Sequence, residues 1–369
     1  MADEIDQCKQ KKPNQFVEIA EKLIHGGLLS QVQAARDIRR LVRSCSSSAS
    51  AARSRTKFVA AGVIQPLISM LAYSNLDARE AALIALLNLA VRNERNKVKM
   101  VASGVIPPLL KLLQSRNSKL PELATAAILT LSAAAPNKLI IAASGAAPLL
   151  VQILSCGSIQ GQVDAVTALY NLTTCTENSS PILDAIAVPP LISLLKECKK
   201  YSKFAGKATA LLEILSNSEE GRIAITNSSG GILTLVETVE DGSLVSTEHA
   251  VGALLSLCRS CRSKYRELIL QEGAIPGLLR LTVDGTVKAQ EGARMLLDLL
   301  RDSPRERRIA SSVLERIAYD IALRVDGPDK AAETAKKLLQ DMVHTSMDAS
   351  VNCIQLRAAP SIPSEMPSL

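Results

Sequence analysis

Apolar and small residues recur along this chain in two ladders that keep the same phase. The first reads Gly62-Val-Ile-Gln-Pro-Leu-Ile, Gly104-Val-Ile-Pro-Pro-Leu-Leu, Gly145-Ala-Ala-Pro-Leu-Leu, Gly230-Gly-Ile-Leu-Thr-Leu-Val and Gly273-Ala-Ile-Pro-Gly-Leu-Leu, with a degenerate member at Ala187-Val-Pro-Pro-Leu-Ile. The second is a column of leucines at Leu89, Leu131, Leu172, Leu215, Leu257 and Leu299, spaced by 42, 41, 43, 42 and 42 residues. Self-similarity at such a period is the signature of stacked supersecondary units, each burying its apolar face on its neighbours.

Within one period the pattern predicts a short helix followed by two longer ones. Phe58-Val-Ala-Ala runs into Gly62, a residue free to adopt the left-handed backbone of a tight corner. Pro66, Pro107, Pro108, Pro148, Pro189, Pro190 and Pro276 follow at similar phase, where the first turn of a helix needs no N–H. The chain then breaks at Tyr73-Ser-Asn-Leu-Asp, and Asp77, with Glu80 three residues on, reads as the N-cap of the third helix. That helix, from Ala78 to Ala90, is apolar around most of its circumference and must be buried between neighbours.

The ends differ from the middle. Leu41 holds the ladder position in Gln33–Arg43, but 48 residues before Leu89, and the excess is the Ser-rich stretch Ser44–Ser54, which reads as a mobile loop. Two amphipathic helices are expected over 304–325 and 328–342, broken at Asp326-Gly-Pro, before a Pro/Ser-rich tail. The expected organisation is a disordered N-terminus (1–13), an N-terminal cap repeat with the Ser-rich loop (14–55), six repeats (56–308), C-terminal capping helices (309–344) and a disordered tail (345–369).

Composition narrows the chemistry. Aromatics are 2% with no Trp, which suits closely packed helices. A net charge of +7 is mild for this length, and the basic stretch Lys196, Lys199, Lys200, Lys203, Lys207 reads as a solubilising turn, so no nucleic-acid partner is expected. The start lacks an apolar signal stretch, runs such as Ala81–Val91 are too short to insert in a membrane, and the eight cysteines are scattered, so a cytoplasmic and/or nuclear location is expected. Cys258 and Cys261 have redox spacing without a second pair, and His25, His249 and His344 show no metal spacing. Phosphate-loop and nucleophile-elbow motifs are absent from the sequence. No cofactor, metal or catalytic residue is therefore expected.

Ala85-Leu-Leu-Asn-Leu-Ala, Ala168-Leu-Tyr-Asn-Leu-Thr and Ala126-Ala-Ile-Leu-Thr-Leu-Ser resemble the armadillo repeat over about residues 30–310. Asn88-Leu-Ala-Val-Arg-Asn-Glu-Arg-Asn-Lys is similar to the armadillo portion of plant U-box ubiquitin ligases. The resemblance implies an all-α, right-handed α-solenoid of about seven armadillo repeats with N- and C-terminal capping helices, its third helices lining a concave peptide-binding groove. The residues before the first cap helix contain no U-box, so ligase activity is not expected to carry over.

In armadillo proteins the residue just before the ladder leucine faces the groove, and an Asn there can both donate to and accept from a bound peptide backbone. This column here reads Arg40, Asn88, Thr130, Asn171, Ile214, Ser256 and Asp298. One turn earlier, where nuclear-signal receptors of this kind carry Trp, stand Ile84, Ala126, Thr167, Ala210, Gly252 and Arg294. Arg36, Arg40 and Arg43 share one helix face, and Arg92 follows Asn88 by one turn. Guanidinium groups suit carboxylates and phosphates, so the expected partner is a protein carrying an acidic or phosphorylated segment. The candidate groove set is Arg36, Arg40, Arg43, Asn88, Arg92, Thr130, Asn171, Ser256 and Asp298. The expected role is a non-catalytic interaction scaffold; the alternative is a substrate-recognition component of the ubiquitin-ligase pathway.

Overall fold

The computed structural model describes residues 15–45, 47–117, 119–174, 185–301, 315–325, 327 and 330–341. The two segments expected to be disordered, 1–13 and 345–369, lie outside these residues, as does 302–314, which spans the end of the expected repeats and the start of the expected capping region. The chain divides into two units between Leu300 and Arg301.

The first unit opens with α1 (Gln15–His25) and α2 (Leu28–Arg43) and continues in sets of three. These are α3 (Ser48–Ala60), α4 (Ile64–Met70), α5 (Leu76–Ala90); α6 (Glu94–Ala102), α7 (Ile106–Leu113), α8 (Lys119–Ser132); and α9 (Ala135–Ala143), α10 (Ala146–Cys156), α11 (Ile159–Thr173). After a 3-10 turn at Ala185–Ala187 come α12 (Val188–Glu197) and α13 (Lys203–Leu215). Two further sets follow: α14 (Glu219–Asn227), α15 (Gly231–Asp241), α16 (Leu244–Ser260), and α17 (Arg262–Gln271), α18 (Ile275–Asp284), α19 (Val287–Leu300). The third helices pack in series, α2 on α5, then α8, α11, α13, α16 and α19, and one hydrophobic cluster runs unbroken from Ile19 to Leu300. This is the α-solenoid that the repeat implied. Leu89, Leu131, Leu172, Leu215 and Leu257 are buried in it, whereas Leu41 and Leu299, at the two ends of the series, are half-buried.

The corner glycines have left-handed backbones, with φ of 85° at Gly62, 83° at Gly104, 80° at Gly145, 64° at Gly230 and 77° at Gly273. At Gly62, Gly104 and Gly145 an added Cβ would meet nothing within 4 Å, so the torsion angle and not the space demands glycine. The degenerate repeat solves the corner differently. Ala187 caps α12 as Val105 caps α7, which puts Ile186 at the glycine's place, and the 3-10 turn makes the bend there.

Two local expectations are corrected. From Ser48 on the Ser-rich stretch is helical rather than a loop: Ser48–Ala60 forms α3, and Ser47 and Ser50 cap it reciprocally, each hydroxyl accepting from the other's N–H at 3.2 Å. Its far end is anchored by buried Phe58, packed edge-on against Phe16 with ring centroids 4.8 Å apart. Helix α5 is capped by Asn75, whose Oδ1 accepts from the Ala78 N–H at 2.9 Å, and Asp77 lies in the first turn instead, still favourable to the helix dipole.

Among the described residues no single helix is long and apolar enough to cross a membrane; α9 and α10 reach that length only as a pair bent by 86°. In the second unit, residues 315–325 and 331–341 are helical, and Ala318, Ala322, Ala331 and Ala335 bury against one another with Leu339 beside them.

Candidate partner-binding groove

Burial of the leucine column leaves the opposite edge of each third helix open. Asn88, Thr130, Asn171 and Ser256 are half-buried there, and Ile214 and Asp298 are exposed. The four half-buried members are already engaged. Asn88 Nδ2 donates to the Ile84 carbonyl at 2.7 Å and Thr130 Oγ1 to Ala126 at 2.8 Å, both within their own helix. Asn171 Nδ2 reaches Ser132 Oγ at 3.1 Å and Ser256 Oγ reaches the Ser216 carbonyl at 2.8 Å, each on the preceding third helix or its cap. The column therefore ties neighbouring repeats together as well as facing outward. An Asn amide has two donors and one acceptor, so one such bond leaves capacity for a ligand.

The arginines do not form one cluster. Arg36 lies 3.9 Å from Asp77 Oδ2 and Arg40 2.9 Å from Asp37 Oδ1, so each has a carboxylate at hand. A depression of about 170 Å³ between α2 and α5 is lined by Arg36, Arg39, Asp77, Glu80, Ala81 and Ile84, but not by Arg40, Arg43 or Arg92. Arg92 lies beyond the end of α5 with a left-handed backbone, φ 52°, rather than one helical turn after Asn88.

Two larger depressions went unnoticed in the sequence. One of about 510 Å³ lies between α13, α16 and α19 and includes Ser256, with Glu213, Glu248, Arg259, Lys288 and Glu291 around it. Here charges cancel: Lys288 Nζ lies 3.3 Å from Glu248 and 3.9 Å from Glu213, and His249 Nδ1 lies 2.6 Å from Glu213. Burial pushes the Glu248 carboxyl upward, yet hydrogen bonds from Thr286 and Lys288, with the nearby positive charge, hold it below its ordinary value. Gly252 is where nuclear-signal receptors carry Trp; a Cβ there would collide with the Glu213 carboxylate, so that place is filled from the neighbouring helix.

The other depression, about 560 Å³, lies where α11, α13 and the start of α16 meet, lined by Tyr170, Tyr201, Lys203, Gly206, Lys207, Ser243, Leu244 and Val245. Lys203 and Lys207 thus line this depression from α13 rather than standing in the turn, where Lys199 and Lys200 do stand. The signal was present in the sequence: 203, 207, 210 and 214 follow helical spacing, which extends the Ile214 column back to both lysines, but a basic run reads as a turn. Cys258 is fully buried, and desolvation raises its thiol to about 11, which fits packing rather than redox chemistry. Among the described residues no His, Cys, Asp and Glu side chains gather to hold a metal.

The plant U-box protein ARM repeat region matches residues 134–318, half of the chain. This chain belongs to that family. The Armadillo/beta-catenin-like repeat matches residues 93–133 of the same ARM array. Curated relatives include U-box domain-containing protein 45 of Arabidopsis thaliana, 34% identical over 100 residues, which are 27% of this chain and 13% of that protein. U-box domain-containing protein 25 of the same plant is 36% identical over 98 residues, 26% of this chain and 23% of that protein. The ARM chain thus spans under a quarter of these relatives' lengths. Among solved structures, an engineered protein superposes with a TM-score of 0.62 at 22% identity, covering 87% of this chain and 77% of the other. A chain from work on the phosphorylation switch controlling the cadherin–beta-catenin interaction gives 0.67 at 18% identity, covering 87% and 63%. These likenesses concern the ARM fold.

Proposed function

We propose that this ARM repeat protein is a non-catalytic scaffold that binds a segment of a protein partner along the edge left open by its third helices. The observation that carries the reading is the unbroken series α2–α5–α8–α11–α13–α16–α19, whose open edge bears half-buried hydrogen-bonding side chains and three depressions. An extended segment could exchange backbone hydrogen bonds with Asn88 and Asn171 while its side chains enter the depressions. Basic residues on this edge favour a segment with acidic or phosphorylated residues. The test is affinity capture from plant extract followed by cross-linking mass spectrometry. Cross-links should fall on the third helices, and the paired change Asn88→Ala with Asn171→Ala should weaken capture about tenfold, roughly 1.4 kcal/mol. Cross-links confined to the second helices would sink the reading.

A second reading follows from the relatives' names: the chain selects substrates for ubiquitin transfer. Purified chain with ubiquitin, activating and conjugating enzymes is expected to show no self-modification, and to speed modification of its captured partner only when a ligase is added. Self-modification without added ligase would contradict the non-catalytic assignment. Imaging of a fluorescent fusion tests the cytoplasmic and/or nuclear location.

A further inference from the structure

The three depressions along the groove differ in how their charges are met. In the first, Arg36 faces Asp77; in the one between α13, α16 and α19, Lys288 faces Glu248 and Glu213. In the middle one, Lys203 and Lys207 stand four residues apart on α13, and among the described residues neither has an ion-pair partner. Like charges at this spacing repel across one helical turn, so the arrangement costs folding stability as it stands. Among the described residues the only hydrogen bond that either ammonium donates is from Lys207 Nζ to Thr167 Oγ1, long at 3.4 Å. Lys207 is half-buried, and burial, followed by the charge of Lys203, lowers its pKa below the ordinary lysine value.

The facing wall is apolar and open to solvent. Leu244 is 58% exposed, Val245 56% and Tyr201 63%, although an α16 of mostly buried side chains surrounds the first two. Gly206 allows this wall to approach: a Cβ there would sit 3.3 Å from Val245 Cγ1. An unmatched cationic pair against an uncovered aliphatic patch selects a ligand with negative charge beside a large apolar group.

We infer that Lys203, Lys207, Tyr201, Leu244 and Val245 form the principal docking site for an extended protein segment in which an acidic residue flanks a large aliphatic or aromatic one. This rests on the groove reading and moves its anchor from the N-terminal arginines to the junction of α11, α13 and α16. Carboxylate and phosphate present the same chemistry to the two ammonium groups, and the probes below separate them. The aliphatic wall opposes a single-stranded nucleic acid, which prefers stacked aromatic platforms.

The test uses the full chain and fluorescein-labelled peptides read by anisotropy. One peptide alternates Asp and Glu with Leu and Phe; the others replace the acids with Gln, with phosphoserine, or with Lys. The acidic peptide should bind at least tenfold tighter than the Gln peptide, and the phosphoserine peptide reveals which anion is preferred. The double change Lys203→Glu and Lys207→Glu should lower affinity at least tenfold, as should Val245→Asp, while Lys111→Glu, on the second helix α7 and away from this edge, leaves it unchanged. Lys203→Gln with Lys207→Gln, milder for folding, should give an intermediate loss, and circular dichroism checks that each variant stays helical. Unchanged affinity in both lysine variants overturns the site, as does equal binding of the Gln peptide or tighter binding of a thymidine oligomer. A photo-reactive group on the peptide separates the two readings. Labelling of other third helices with intact lysine-variant binding removes this site and leaves the groove, whereas labelling confined to the second helices removes both.

Discussion

Single residues in this chain are held to their identity for different physical reasons, and substitutions can tell the reasons apart. Gly104 sits at φ 83° with open space around its missing side chain. Gly104→Ala is expected to cost about 1–2 kcal/mol from backbone strain alone, without a packing defect, read as a lower urea midpoint with an unchanged slope. Arg92, the one non-glycine among the described residues with positive φ, should respond in the opposite sense: Arg92→Gly should be neutral or stabilise slightly. Asn96 and Asn137 are buried, and their Nδ2 groups satisfy the Leu89 and Leu131 carbonyls at 2.8 and 3.0 Å, at the ends of α5 and α8. Asn137→Ala should cost about 1–3 kcal/mol by leaving that carbonyl unpaired, measured by the same denaturation. Their 41-residue spacing was visible in the sequence, but nothing in the pattern distinguishes a buried asparagine that caps a helix from one on the surface.

Among elements, the leucine column, the corner glycines and the prolines were legible because each answers to local geometry that repeats. What escaped sequence reading depends on contacts between distant segments. The serines of Ser44–Ser54 look like a loop by composition; they cap and begin α3, whose stability comes from Phe58 meeting Phe16 forty-two residues earlier in the chain. Phe58→Ala is expected to cost about 3–5 kcal/mol and to loosen α1, α2 and α3 before any other helix. Hydrogen exchange checks it: amides of α1–α3 should lose protection while those of α13–α19 keep theirs, and uniform loss would contradict the element-by-element picture. Lys203 and Lys207 read as part of a turn for a related reason, although both lie in α13. A basic run is usually a solvated face, and only the placement of α16 shows that Lys203 and Lys207 look onto an uncovered apolar wall.

At the scale of the whole first unit, each set of helices touches mainly its neighbours, so stability is close to a sum of repeat and interface contributions. Protection from exchange should rise from the end helices, where Leu41 and Leu299 are half-buried, to the centre, where the column is covered on both sides. Within this chain the leucine column is fixed by packing, whereas the residue beside it differs from repeat to repeat, from Asn88 and Asn171 to Ile214 and Asp298.

The left-handed corners bear on how such a chain can change over time. Because Gly62, Gly104 and Gly145 require a torsion angle and a side chain there would meet no neighbour, each joint makes no packing demand on the repeat that follows it. A joint of that kind is interchangeable. Duplication or loss of one whole period would lengthen or shorten the open edge of the third helices without any compensating change at the corners, and Ile186, with its 3-10 turn, shows that even the joint itself can be replaced without interrupting the series.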